Sequence, residues 1–198
     1  MSVVKRIILA PGHGGKDGGA TNKNTGLQEK RVTWNLCVEL KSILEKGFNC
    51  EVFLIQPSMN NPNINFRQDL YGTINEANRL HKQNKIDYYL SIHTNAGGGK
   101  GFESYTFPNA SAESERVRKI IHTHVANFLH NQYGIIDRGM KKANFAELRE
   151  TCMPAALFEN LFIDDKKEAE LLGDAVFIHK LANEYAYALS IALSLPRK

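Results

Sequence analysis

A chain of 198 residues, 42% hydrophobic and 23% charged, has the size and composition of one soluble-type domain with a sizeable core. No apolar run approaches the ~20 residues needed to cross a bilayer. A formal net charge of +4, with no basic run interleaved with aromatics, speaks against nucleic acid as the partner.

Residues 3–9 form an apolar run that reads as a buried strand. It leads into the glycine-rich turn 10–20, where His13 sits at the strand end with little side-chain bulk around it. The turn is not a phosphate loop. Asp17 stands where GxGxxG needs its third glycine, and no Gly-Lys-Ser/Thr closes a P-loop. A polar loop follows over 18–26, and Thr25-Gly26-Leu27-Gln28 fits a capping box that starts a helix. Val32, Leu36, Leu40, Ile43 and Leu44 then repeat at helical spacing until Lys46, and Gly47 stops the helix. Glu29 falls in the first turn, where the helix dipole alone favours a carboxylate. Cys37 lies on the apolar face; with Cys50 and Cys152 it makes an odd, scattered set that reads as free thiols.

Residues 50–55 read as a second strand, 56–65 as a loop, and 66–82 as a second helix with His81 near its end as a surface residue. The apolar strand over 87–93 ends in His93. A flexible glycine turn over 97–101 precedes an alternating strand over 102–107. Residues 111–131 read as an amphipathic helix buried along Val117, Ile120, Ile121, Val125, Phe128 and Leu129. His122 and His124 are two apart on that helix, so they cannot chelate together; both, with His130, read as surface or rim residues. Residues 135–142 read as a loop, and 145–149 and 155–158 as two strands, the second carrying Glu159. Helical patterning returns over 166–195, with His179 structural.

This alternation predicts a single α/β domain over residues 1–198, a mainly parallel twisted sheet with helices on both faces. Sites on such sheets form at the carboxyl ends of strands, where His13, His93 and Glu159 all fall. Two strand-end histidines with a carboxylate are the ligand set of a hydrolytic zinc site with water in the fourth position. An acid such as Glu159 at the end of a core strand is costly unless it has a partner or a task.

Taken together, these residues resemble the zinc-dependent N-acetylmuramoyl-L-alanine amidases of the amidase-3 family. The matching stretches are Gly12-His13-Gly14-Gly15 with Asp17 and Gly19-Ala20, Glu29-Lys30, Ala77-Asn78 and Ser91-Ile92-His93-Thr94-Asn95-Ala96. Arg138-Gly139-Met140-Lys141 and Pro154 through Glu159, with Phe162-Ile163, complete a match that covers nearly the whole chain in order. The resemblance implies one zinc ion per chain held by His13, Glu29 and His93, with Glu159 as catalytic acid/base. It implies peptidoglycan as the partner, cleaved at the amide between N-acetylmuramic acid and L-alanine. The mild basicity then suits an anionic wall.

The chain departs from the family pattern in four places. Ala10 stands where an acidic residue is common, so His13 must be oriented from elsewhere. Gln56-Pro57-Ser58 replaces a Thr-Arg, Thr73 replaces an arginine, and Leu161 stands where a glycine usually follows the catalytic glutamate. The rival readings are a zinc peptidase or carboxypeptidase acting on another wall amide, and a non-catalytic wall-binding relative. Only residues 7–10 are apolar near the start, shorter than the ~7–15-residue core of a signal peptide. The expectation is synthesis in the cytoplasm and action at the wall after release, as for a phage lysin or an enzyme of mother-cell lysis.

Overall fold

The computed structural model describes residues 4–55 and 66–198. In chain order the elements are β1 (Lys5–Pro11), α1 (Glu29–Gly47), β2 (Cys50–Leu54), α2 (Phe66–Asn84), β3 (Tyr88–Asn95) and β4 (Phe102–Thr106). They continue with α3 (Ala112–Tyr133), β5 (Asp137–Lys142), α4 (Ala146–Glu150), β6 (Ala155–Phe162), α5 (Lys166–Gly173) and α6 (Ala175–Ala192). The strands make one sheet in the order β2-β1-β3-β6-β4-β5. Every neighbouring pair is parallel except β4 with β6.

The period of two along each strand divides the core between two faces. Ile7, Leu9, Leu90, Ile92, Ala156 and Phe158 pack under α1, α3 and α6, whose stripes include Leu36, Leu40, Val117, Ile121, Leu181 and Leu189. Ile8, Ala10, Tyr89, Ala155 and Leu157 point the other way, under Ala77 and Leu80 of α2 and Leu148 of α4. Helices thus cover both faces, as expected of a mainly parallel sheet. Cys37 and Cys50 are buried in this core, and all three cysteines are free.

The structure corrects four of the sequence readings. Residues 137–142 are not a loop but the edge strand β5, parallel to β4. Their polar, lysine-bearing sequence suits an exposed edge, which charge protects from pairing with another chain. Residues 145–149 are not a strand: α4 occupies Ala146–Glu150, and the side chain of Asn78 on α2 holds its end, donating to the Glu150 carbonyl and accepting from the Cys152 amide. The capping box is not used. Helix α1 starts at Glu29 with Gln28 as its N-cap and no side-chain cap, while Asn22 Oδ1 accepts from the amides of Asn24 and Thr25 to shape the loop. Finally, the helical run after 166 is broken at Asp174, whose side chain accepts from the Val176 amide and caps α6. The expected loop over 56–65 lies outside the described residues.

Candidate active site

The site forms where β1 and β3 end side by side. The Gly12 amide donates to the Ile92 carbonyl at 2.7 Å, which ties the glycine turn to β3. A Cβ on Gly12 would stand 2.3 Å from the His93 ring, so only glycine lets that imidazole lie against the turn. His13 itself has φ +64°, a left-handed conformation that is strained for a residue with a side chain.

This turn brings His13 and His93 to the two oxygens of Glu29, at the start of α1. His13 Nε2 lies 3.1 Å from Glu29 Oε2, and His93 Nδ1 lies 3.2 Å from Glu29 Oε1. One ligand atom from each of the three falls within 4.8 Å of the others. A tetrahedral ion with ligands at about 2.0–2.1 Å separates them by about 3.3 Å, so the spacing fits a single small cation. Burial opposes ionisation of Glu29, yet the hydrogen bonds and charges of His13 and His93 hold its carboxyl below the usual carboxylate range. The amides of Ala20 and Thr94 also donate to this carboxylate, fixing its orientation.

Each histidine presents its second ring nitrogen to another carboxylate. Asp17 Oδ2 is 2.6 Å from His13 Nδ1, and its other oxygen accepts from the Gly19 amide. The orienting acid absent at Ala10 is therefore supplied from four residues beyond His13. On the far side, Glu147 Oε1 lies 3.5 Å from His93 Nε2. Glu147 Oε2 accepts from Tyr89 Oη at 3.1 Å and Ser91 Oγ at 2.5 Å. Tyr89, Ser91 and His93 alternate along β3, so one carboxylate on α4 meets three successive side chains of one face. No sequence signal marked Glu147, because a strand over 145–149 would have aimed it differently.

Glu159 is the register partner of His93 across β3 and β6. Its Oε2 is buried without a hydrogen-bond partner among the described residues. It faces a cleft lined by Leu70, His93, Phe145, Glu147 and Leu157. Burial pushes its carboxyl up to about 7, reinforced by the charges of Glu29 and Glu103 and opposed by His93 and His13. Such a group can both accept and return a proton near neutrality. Past Glu159 the register shifts, with Asn95 opposite Phe162, and Leu161 in the bulge has φ +64°. The position where the family pattern has glycine is thus left-handed in this chain, with a leucine in it.

The other histidines lie apart from the cluster. His81, His130 and His179 lie on helices, His179 pairing with Glu39. His124 sets its ring edge-on to Tyr187. His122 corrects the expectation of a rim residue: it is buried, bridging Ser104 Oγ at 2.8 Å and Asp137 Oδ1 at 3.0 Å. The order of groups mimics a serine-hydrolase triad, but Ser104 is fully buried and Asp137 is at the surface, so the hydroxyl cannot meet a substrate. This trio ties α3 to β4 and β5.

A doubly wound sheet that gathers two histidines and two carboxylates at its strand ends defines a hydrolase site with room for one metal ion. Residues 7–190 match the Amidase_3 model, described as N-acetylmuramoyl-L-alanine amidase, and the chain belongs to that family. The sporulation-specific N-acetylmuramoyl-L-alanine amidase of Bacillus subtilis (strain 168) is 37% identical over 192 residues, covering 97% of this chain and 69% of that protein. The endolysin of Bacillus phage SPP1 is 36% identical over 197 residues, covering 98% and 68%. Among solved structures, the catalytic domain of the amidase CwlV from Bacillus (Paenibacillus) polymyxa var. colistinus superposes with a TM-score of 0.80 at 26% identity, covering 97% of this chain and 99% of that one.

Proposed function

We propose that His13, Glu29 and His93 hold one zinc ion and that Glu159 is the acid/base of an N-acetylmuramoyl-L-alanine amidase acting on peptidoglycan, with residues 1–198 as its catalytic domain. The observation that carries this is the convergence of the three ligand atoms within 4.8 Å beside the buried, unpartnered Oε2 of Glu159. Family membership supplies the reaction: cleavage of the amide joining N-acetylmuramic acid to L-alanine.

When bound, zinc supplies Lewis acidity, polarising the amide carbonyl and lowering the pKa of attacking water to about 7. The chain's own residues do the rest. Asp17 is hydrogen-bonded to His13 Nδ1 and Glu147 stands beside His93 Nε2, while the other nitrogen of each ring faces Glu29. Glu159 Oε2 takes the proton of the nucleophilic water and returns it to the alanine nitrogen, turning a poor leaving group into an amine. Leu70, Phe145 and Leu157 form an apolar wall that limits water around this transfer. Among the described residues no helix is long and apolar enough to cross a membrane.

The test pairs metal analysis with product analysis. His13→Ala and His93→Ala should each lose zinc, and digestion of purified wall by the zinc-loaded parent should expose the N-terminus of L-alanine. Stoichiometric zinc in both variants overturns the ligand assignment. New amines only deeper in the stem peptide would identify a peptidase instead.

A further inference from the structure

His93, Glu159 and Glu103 are register partners on three adjacent strands, so they line one face of the sheet in a row. The row ends in two cations from β5. Glu103 is buried, and its Oε2 accepts from Arg138 Nε at 2.8 Å and from Lys141 Nζ. Its other oxygen accepts from Asn95 Nδ2 and Tyr105 Oη. One carboxylate thus faces two cations, leaving one positive charge over.

Both cations are placed rather than free. Arg138 lies over the Phe162 ring, 5.0 Å from its centroid, and Lys141 lies beside the Tyr105 ring at 5.9 Å. Both remain about a third exposed. The guanidinium has five donors in a planar fork, of which Nε serves Glu103 and Nη1 reaches the Lys100 carbonyl. Its Nη2 makes no hydrogen bond to the described residues. The geometry therefore offers a placed, surplus cation at the end of the row that begins at His93 and Glu159.

We propose that Arg138 and Lys141 form a subsite for a carboxylate of the stem peptide, carried by the residue that follows L-alanine. This rests on the amidase reading above. The distances suit it: Glu103 lies one strand, about 4.8 Å, beyond Glu159. A peptide advances about 3.5 Å per residue, which puts the carboxylate of the second residue about 7 Å from the scissile amide. A carboxylate there gains charge-assisted hydrogen bonds; a carboxamide carries no charge to pair. The enzyme should accordingly prefer wall whose second stem residue keeps its free acid.

The experiment compares two soluble substrates whose second-residue γ-carboxyl is already taken up in the peptide bond, N-acetylmuramoyl-L-alanyl-γ-D-glutamyl-L-lysinamide and its γ-D-isoglutaminyl counterpart, with the zinc-loaded protein and its Arg138→Gln and Lys141→Gln variants. The parent should show at least about tenfold higher kcat/KM on the free acid, expressed mainly in KM. In each variant the ratio should collapse toward one, while zinc content stays at the parent's value and the protein remains folded at the assay temperature. Equal rates of the parent on both substrates overturn the subsite, as does a ratio that survives both substitutions. Zinc-loaded parent that releases no L-alanyl amine from either substrate or from wall overturns the amidase reading itself, a distinguishable result.

Discussion

Glu147 on α4 stands 3.5 Å from His93 Nε2, the ring nitrogen turned away from Glu29. Burial would raise the carboxyl's pKa, but His93, Ser91 and Tyr89 hold it below the ordinary carboxylate range, so it stays an acceptor. It is the counterpart of Asp17 beside His13: each carboxylate stands at the ring nitrogen that faces away from Glu29, where it would orient a metal-holding imidazole. Glu147→Ala should weaken zinc binding by about ten- to a hundredfold. Glu147→Gln, which keeps an acceptor oxygen, should recover most of that loss. Competition with a chelator gives the affinities, and the visible spectrum of the cobalt-substituted protein reports any change in ligand geometry. Parent-like affinity in Glu147→Ala would leave the carboxylate with a packing role only.

Glu159 separates a hydrolase from a metal-holding shell. Glu159→Gln keeps the shape and removes the proton acceptor, so zinc should stay while hydrolysis falls about a hundredfold or more. A second consequence concerns stability. The carboxyl is raised from 4.5 to about 7 in the folded chain, so its contribution is complete below pH 4.5 and is lost as pH rises through 7. In chelator-treated protein, Glu159→Gln should therefore gain stability over the parent between pH 5 and 8. Urea midpoints across that range measure it; a constant gap would mean that the carboxyl titrates normally.

His122 works in the opposite sense. Burial lowers its pKa below 6.5, with Asp137 opposing only in part. The unfolded chain takes up the proton first as pH falls, so stability is full above 6.5 and is lost as pH drops toward the folded value. His122→Asn should cost about 1–3 kcal/mol at pH 8, the cost of leaving Asp137 and Ser104 with poorer partners. Its disadvantage should shrink at pH 5.5, where the parent is already weakened. Denaturant melts of both proteins at the two pH values decide this, and an unchanged difference would count against a buried neutral imidazole.

Leu161 sets two effects against each other. Its φ of +64° costs about 1–2 kcal/mol in a residue with a Cβ, which glycine would recover. The side chain is fully buried in the main core, and removing such a leucine costs about 2–5 kcal/mol. The second effect is larger, so Leu161→Gly should lower the thermal midpoint. A rise would mean that the bulge stores more strain than the leucine's packing repays.

The parts of this architecture that the sequence made legible are those with local signatures. β1 and β3 are near-continuous apolar runs ending in histidine, and the long helices carry apolar stripes at a period of 3.6. His13, Glu29, His93 and Glu159 were singled out because their motifs match the amidase-3 family; for Glu29, the helix dipole alone accounted for a carboxylate in the first turn, and only that match pointed further. Asp17 was visible as part of the glycine turn, though its partner was not. Glu147 and Glu103 were hidden because contacts between distant segments decide their roles: Asn78 fixes the five-residue α4, and β5 brings the cations to Glu103. β5 was missed for the same reason, since an exposed edge strand needs no apolar face to announce it. His122 was misplaced because the partners that bury it lie on β4 and β5, outside its own helix.

The strand order carries a consequence for how the molecule is made. β3 and β4 follow one another in the chain, yet β6 lies between them in the sheet. A ribosome delivers the proposed metal-holding trio by residue 93, then β4 and β5, and only afterwards the strand that fills the gap. Until residue 159 has emerged and β6 has taken that slot, the nascent chain has no Glu159 carboxyl beside its histidines. The proposed site is therefore assembled late, by a strand made after both of its neighbours in the sheet.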